Sequence, residues 1–296
     1  MSLSAKDRVG SKIRCLDLSL MIKQDPSILT KLVELEGVIV PKDPTILPCG
    51  RGKPEELIFN KSIAKSFVEK LLKLNQGTSF NNYDVFKEKI EGWWLKHPKN
   101  ANTPNWDIAC IAEIHGRSGL ILVEAKAHKS ELSRETKKSY NTDSINSKQN
   151  HEKIMDQIKE ASKKLGSISG LDFNLNEHSP YQLSNRFAWC WFLATNGIPI
   201  VLVYLGFIKA NEMERKLFES HEDVVNSVYE HCMGTKNDTT IYVPREAWRQ
   251  EPLFDTGKAM MYSVIRSMEM NIGQSTVLSI NGRTFYLADI RQCMIK

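Results

Sequence analysis

Hydrophobic residues recur at helical spacing in the first third of the chain. In residues 60–76 they form one stripe made of Ile63, Phe67, Leu71 and Leu74, and the following Gly77 favours a helix end. A second helix is predicted over residues 83–91, where Val85, Phe86 and Ile90 are apolar. We interpret the next segment, GWWLKHP, as a short strand.

The middle of the chain changes to strand-like patterns. DIACIAEI (107–114) and GLILVEAKAH (119–128) predict two strands, and residues 115–118 between them predict a hairpin turn. Helices are predicted over 152–165 and 182–195, and a strand buried on both faces is predicted over 198–208. The order helix, strands, helix, strand predicts an α/β fold.

Three regions follow from this pattern. Residues 1–54 are predicted to be an N-terminal extension that closes in a Pro/Gly-rich stretch, and residues 55–210 to be the core. Residues 211–296 are predicted to add accessory elements, with a hairpin turn at Asn281-Gly282. The apolar run 187–208 is long enough for a membrane span, but Asn196-Gly197 and Pro199 interrupt it, so we expect no membrane association.

Composition describes an ordinary globular chain. Its 296 residues are 41% hydrophobic and 25% charged, and none of the six cysteines forms a CxxC pair. We expect reduced thiols and a cytoplasmic location, because the N-terminus lacks the apolar core of a signal peptide.

The net charge of +5 is too small to indicate a nucleic-acid partner by itself. Residues 126–164, however, hold ten Lys/Arg against six Asp/Glu, a local excess of +4. Such clustering suits a polyanionic substrate, although a solvated loop and helix face has the same composition.

Side chains in the second strand alternate between its two faces, and one face carries Leu120, Leu122, Glu124, Lys126 and His128. If Ile114 pairs with Gly119, Asp107 lies opposite Lys126 on this same face. Asp107, Glu124 and Lys126 are then expected to converge. Two carboxylates are hard oxygen ligands for Mg²⁺ or Mn²⁺, and an adjacent lysine stabilises a phosphoryl transition state. The same residues would also form a strand-end salt bridge between Lys126 and Asp107 without catalysis.

Pro104-Asn105-Trp106-Asp107 and Glu124-Ala125-Lys126 together resemble the PD-(D/E)XK motif of restriction-endonuclease-like nucleases. The resemblance spans about residues 60–210 and departs from the motif in the Asn-Trp between proline and aspartate. It implies an αβββαβ core, with a mixed central sheet flanked by helices and with N- and C-terminal extensions.

Several functional expectations come from this resemblance. Asp107, Glu124 and the Ala125 carbonyl are expected to hold Mg²⁺ or Mn²⁺, with Lys126 as the catalytic lysine. The substrate is expected to be DNA rather than RNA, and a homodimer is compatible with this class. A further acid from the first core helix has three candidates: Glu69, Glu88 and Glu91.

Further candidate contacts lie beside the trio. Gln182 and Arg186 share a helix face and are expected to reach the metal-bound water or a phosphate; a polar first turn of a buried helix is the alternative. His128 and Lys129 are candidate substrate contacts, together with the basic loop residues Arg134, Lys137, Lys138 and Lys148. CGRGK at 49–53 is interpreted as a turn, and most of the six tryptophans as core.

The sequence therefore predicts a metal-dependent nuclease. Two rival interpretations stay open: a nucleic-acid-binding protein with the same fold and no turnover, and a structural module in which the trio is an internal ion pair.

Overall fold

The computed structural model describes residues 9–132, 144–176, 180–213, 216–233, 240–255, 257–270 and 277–286. Its helices are Gly10–Gln24 (α1), Ser27–Val33 (α2), Ile63–Leu74 (α3), Tyr83–Trp94 (α4), Ile145–Ser169 (α5), Tyr181–Thr195 (α6) and His221–His231 (α7). Its strands are Val38–Ile39 (β1), Ile46–Leu47 (β2), Leu57–Ile58 (β3), Asn105–Trp106 (β4), Ile108–Ile114 (β5), Arg117–Lys126 (β6), Ile200–Ile208 (β7), Phe254–Asp255 (β8), Met260–Glu269 (β9), Val277–Ile280 (β10) and Arg283–Tyr286 (β11).

A mixed sheet of nine strands forms the centre of the fold. Its main order is β1-β5-β6-β7-β9-β10-β11, with β2 also on β5 and β8 also on β9. Strands β6, β7 and β9 run parallel, whereas β5 and β10 are antiparallel to their neighbours. Strands β3 and β4 form a separate two-stranded sheet. The predicted α/β class, with a mixed sheet flanked by helices, is confirmed.

Helices cover both faces of the central sheet. Helices α3 to α7 pack on the face that carries Leu120 and Leu122 of β6. Helices α1 and α2 pack on the opposite face, which carries Ile121 and Val123. Burial on both sides accounts for the nearly continuous apolar sequences of β6 and β7, because neither strand has a face in water.

The first predicted helices exist with different ends. Helix α3 is shorter than predicted, and two members of its predicted stripe, Ile63 and Leu74, are exposed. The strand predicted for GWWLKHP is wrong, because Trp93 and Trp94 continue helix α4 and pack against Trp189. Aromatic packing between helices decides the structure of this segment.

The central hairpin turns more tightly than predicted. His115 and Gly116 have φ of 48° and 76° and form the turn, so Arg117 and Ser118 already belong to β6. The second predicted hairpin, at Asn281-Gly282, is confirmed. Between α4 and α5 the chain forms two long strands, β5 and β6, and the two-residue β4 of the separate sheet, where the resemblance implies three strands.

Regions outside the predicted core join the same central sheet. Strands β1 and β2 pair with β5, and β9 pairs with β7 along nine positions. Helix α7 packs on β7, where Gly206 provides the space: a Cβ at this position would lie 2.4 Å from a methyl of Val224.

The long apolar run predicted to fold inside the protein does so as α6 and β7. Within the part of the chain that the structure describes, no helix has the length and apolarity to cross a membrane. The five described cysteines are free thiols, and four of them are buried.

Candidate active site

Asp107 lies where the chain passes from the small sheet to the central one. Strand β4 ends at Trp106 and β5 begins at Ile108, so Asp107 is the link between them. Its Oδ2 accepts a hydrogen bond of 2.7 Å from the backbone N–H of Ala125. The carboxylate thereby occupies the edge of β6 just beyond the last residue pair between β5 and β6, Ile108 and Val123.

The pairing of β5 with β6 differs from the prediction by two residues. Ile114 pairs with Arg117 and Ile108 with Val123, so the next position of the register sets Asp107 opposite Glu124 and not opposite Lys126. The two-residue turn causes this shift. Because side chains alternate with a period of two, an even shift leaves Asp107 on the predicted face.

Glu124 is held between two cations. Its Oε1 lies 2.8 Å from Nζ of Lys126, and its Oε2 accepts a hydrogen bond of 2.7 Å from Nε of Arg186. Only 2% of Glu124 is exposed. The ion pair of Lys126 is therefore with Glu124, whereas the alternative interpretation of the sequence paired it with Asp107.

Helix α6 supplies the remaining partners of this cluster. Lys126 donates a hydrogen bond of 2.6 Å to Oε1 of Gln182. The guanidinium carbon of Arg186 lies 4.7 Å from the ring centroid of Trp106, a cation–π distance. Both polar residues of α6 that the sequence singled out thus point into the cluster.

The charges of the cluster depend on one another. Burial raises the pKa of Asp107, and the negative charges of Glu124 and Glu56 raise it further. Burial alone would also raise the pKa of Glu124, but Arg186 and Lys126 outweigh it and lower this pKa. Burial alone would lower the pKa of Lys126, but Glu124, Tyr204 and Asp107 together outweigh it and raise this pKa. Lys126 and Glu124 are therefore charged at neutral pH.

The donor set suits a hard divalent cation. Asp107 and Glu124 supply carboxylates, and the carbonyl of Ala125 shares the strand edge with its N–H, which faces Asp107. Within the described residues, no three His, Cys, Asp or Glu side chains are grouped closely enough to hold an ion. Magnesium retains several waters, so a site of two carboxylates and a carbonyl would leave the rest of its coordination to water.

The two candidate contacts that follow β6, His128 and Lys129, have partners outside this cluster. The side chain of His128 is 4% exposed and its Nε2 lies 3.4 Å from Oε1 of Glu131, while its Nδ1 has no hydrogen-bond partner within the described ranges. Lys129 pairs with Asp223 of α7 at 2.6 Å. Arg134, Lys137 and Lys138 lie outside the described residues, and Lys148 faces Glu152 on the surface of α5.

None of the three acids considered in the first core helices joins the site. Glu69 pairs with Lys65, Glu91 accepts a hydrogen bond from Asn60, and Glu88 is exposed. Besides Glu124, the acid whose charge raises the pKa of Asp107 is Glu56, which precedes β3 and accepts a hydrogen bond from Asn105. No periodic signal marks Glu56, because it lies in an irregular segment.

His231 is another residue that the sequence did not indicate. It ends helix α7, and burial followed by the positive charge of Lys126 lowers its pKa to about 4. It is therefore a neutral imidazole near the Lys126–Glu124 pair at pH 7.

A cleft of about 900 Å³ opens beside the cluster. Gln182 and Arg186 lie in its wall, and so does Glu56. A ligand in the cleft therefore meets the partners of Lys126 and Glu124 directly.

The aromatic side chains are mainly structural, as predicted. Trp94, Trp106 and Trp189 are fully buried, and Trp191 and Trp248 are nearly so. The segment 49–53 is confirmed as a turn, closed by a hydrogen bond from Lys53 N–H to the carbonyl of Gly50.

No model of a protein family, no curated protein and no solved structure matches this chain. What the site does is therefore inferred from its own geometry.

Proposed function

We propose that the protein is a Mg²⁺- or Mn²⁺-dependent nuclease that hydrolyses phosphodiester bonds in DNA. The observation that carries this proposal is the meeting of Asp107, Glu124 and Lys126 at one end of β6, beside a cleft into which α6 brings Gln182 and Arg186. The order α4, β5, β6, α5, α6, β7, with β7 parallel to β6, supports a restriction-endonuclease-like core.

Asp107, Glu124 and the Ala125 carbonyl would hold the ion. When bound, a divalent ion supplies a water of lowered pKa and neutralises charge on a phosphate oxygen. Lys126 has three N–H donors, of which Glu124 and Gln182 take two. The third would be left for an oxygen of the substrate, where a fixed positive charge would stabilise the developing negative charge.

Gln182 and Arg186 position the side chains of Lys126 and Glu124. The Gln182 carbonyl orients the Lys126 ammonium, and Arg186 orients the Glu124 carboxylate. Arg186 also lines the cleft, so its guanidinium is a candidate contact for a backbone phosphate.

A structural ion-pair cluster is the second candidate function, and one observation favours it. Both oxygens of Glu124 already have cationic partners, Lys126 and Arg186, at 2.8 and 2.7 Å. A buried carboxylate that is fully paired in this way has no need of a metal.

Calorimetry with Mn²⁺ and a DNA cleavage assay distinguish the nuclease from the structural ion-pair cluster. For the nuclease we expect one Mn²⁺ site that Asp107→Ala abolishes, and at least a hundredfold loss of cleavage in Asp107→Ala and Lys126→Ala. The matched control is Glu113→Ala, which removes an exposed carboxylate at the other end of β5 and should leave both properties intact.

The outcomes are distinct. Binding of DNA without cleavage in either metal would indicate a binding protein without turnover. Absence of both metal binding and DNA binding would favour the structural cluster.

A further inference from the structure

Side-chain amides dominate the polar wall of the cleft beside the site. They come from the segment between α4 and β5 and from helices α5 and α6, and include Asn102, Asn105, Asn150, Gln182 and Asn185. Amides donate and accept hydrogen bonds without carrying charge. Such a wall suits an uncharged ligand with both kinds of group.

Few charges line the cleft. Among the described residues in its wall, the lysine and arginine are Lys99 and Arg186 and the acid is Glu56, and Arg186 is already paired with Glu124. A channel that followed a phosphate backbone would carry several unpaired cations. The cleft therefore suits the uncharged part of a nucleotide better than its phosphate.

The wall is held in place before any ligand arrives. Oδ1 of Asn150 accepts a hydrogen bond of 2.7 Å from His97 N–H, and its Nδ2 donates one of 2.9 Å to the His97 carbonyl. This two-bond clamp ties helix α5 to the loop after α4. Asn60 fixes the same loop through the carbonyl of Ala101 and the N–H of Thr103.

One amide in this wall has an unused acceptor. Asn185 is 5% exposed and lines the cleft, and its Oδ1 has no hydrogen-bond partner among the described residues. A buried acceptor without a partner has lost its hydrogen bonds to water and is destabilising. A ligand that donates an N–H to this oxygen removes that cost.

Apolar and aromatic side chains complete the cleft. Ile58, Leu95 and Ile154 line it, and Tyr181 contributes a half-buried ring. A flat aromatic ligand can pack on such groups, and every nucleobase has a π-face for this contact.

We propose that the cleft takes up an unpaired nucleobase, whose N–H groups meet Asn185 while the adjoining phosphate lies on the Gln182 side of the wall, toward Lys126. The inference rests on the proposed function, because the nuclease site supplies the phosphate contact. In a duplex the pairing edge of a base is occupied by its partner, so the nucleotide has to be single-stranded or turned out of the helix.

The test is equilibrium binding of the full chain to three labelled 12-nucleotide probes, followed by fluorescence anisotropy at fixed salt with EDTA present. The probes are a single DNA strand, the duplex of the same sequence, and a strand in which all bases are removed. We expect the intact strand to bind at least tenfold more tightly than the duplex and the abasic strand.

Asn185→Ser then tests the assignment to the cleft. It should weaken binding of the intact strand about tenfold, the equivalent of one lost hydrogen bond, and leave the abasic strand unchanged. Asn226→Ser, the same exchange at an exposed position of α7, should change neither. The comparison of probes on the unaltered chain stands whether or not the Asn185 variant folds.

Equal affinity for the intact and abasic strands would overturn the inference, as would an equal loss on both in Asn185→Ser. A base-dependent interaction without cleavage in Mg²⁺ would uphold the cleft and refute the nuclease. Cleavage of the abasic strand at the same rate as the intact strand would uphold the nuclease and refute base binding in the cleft.

Discussion

Replacing Arg186 by methionine removes one of the two cations that hold Glu124. Arg186 is 4% exposed and Glu124 is 2% exposed, so the pair is shielded from water. Breaking a buried pair costs about 3–5 kcal/mol, because the remaining charge loses its compensation. Lys126 still holds Glu124 at 2.8 Å in this variant, so we expect a loss near the lower limit, about 3 kcal/mol.

Glu124→Gln should cost more than Arg186→Met. It leaves two buried cations, Lys126 and Arg186, without their carboxylate, and we expect a loss near the upper limit, about 5 kcal/mol. The double variant removes both members of one pair, so its loss should be smaller than the sum of the single losses.

Urea unfolding measures these differences, with the pair of Arg283 and Glu34 as the matched control. Their nitrogen–oxygen distance is also 2.7 Å, but the side chain of Arg283 is 73% exposed. Arg283→Met should therefore change the free energy of unfolding by less than about 1 kcal/mol. The reasoning is refuted if Arg186→Met costs no more than this control.

Three further predictions concern other parts of the fold. His231 has its pKa lowered from about 6.5 to about 4 by burial and then by Lys126, so the free energy of unfolding should fall as the pH drops from 6.5 to 4; a pH series of urea titrations should show a shallower fall in His231→Gln, and an unaltered fall would contradict the prediction. Tyr204→Phe removes a fully buried hydroxyl that has no hydrogen-bond partner in the described part of the chain, so it should stabilise the protein by about 1 kcal/mol. A loss of stability in the same titration would show that the hydroxyl has a partner after all. Gly206→Ala places a Cβ 2.4 Å from Val224 and should destabilise by about 1–3 kcal/mol in thermal unfolding, whereas Gly52→Ala, with open space around it, should be neutral; equal melting temperatures would count against the close packing of α7.

The sequence predicts the long elements well because each has a face to bury. Alternation in 119–128 sets Leu122, Glu124 and Lys126 on one side of β6, as the structure has them. A shift of two residues between paired strands leaves the same side chains on the same face, so the alternation cannot distinguish one register from the other. The register is fixed by the length of the turn instead. The turn was predicted with four residues and has two, which moved Asp107 from Lys126 to Glu124.

Contacts between distant segments could not be predicted in the same way. The pairing of Arg186 with Glu124 spans 62 positions, and Asn60 is tied to the carbonyl of Ala101 across 41. Their spacing of four residues predicts that Gln182 and Arg186 lie on one face of a helix, but it does not predict which strand that face contacts. Strands of two residues, such as β3 and β4, are too short for any period to be recognised.

The carboxylate of Asp107 has a second role as part of the sheet. It occupies the place of a backbone carbonyl beside the Ala125 amide, and the carboxylate of Glu131 does the same for Ala127, two positions further along the strand. Anything that draws Asp107 outward would leave the Ala125 amide without its acceptor. Hydrogen exchange at this single amide would therefore report when the site is occupied, even with a ligand that has no signal of its own.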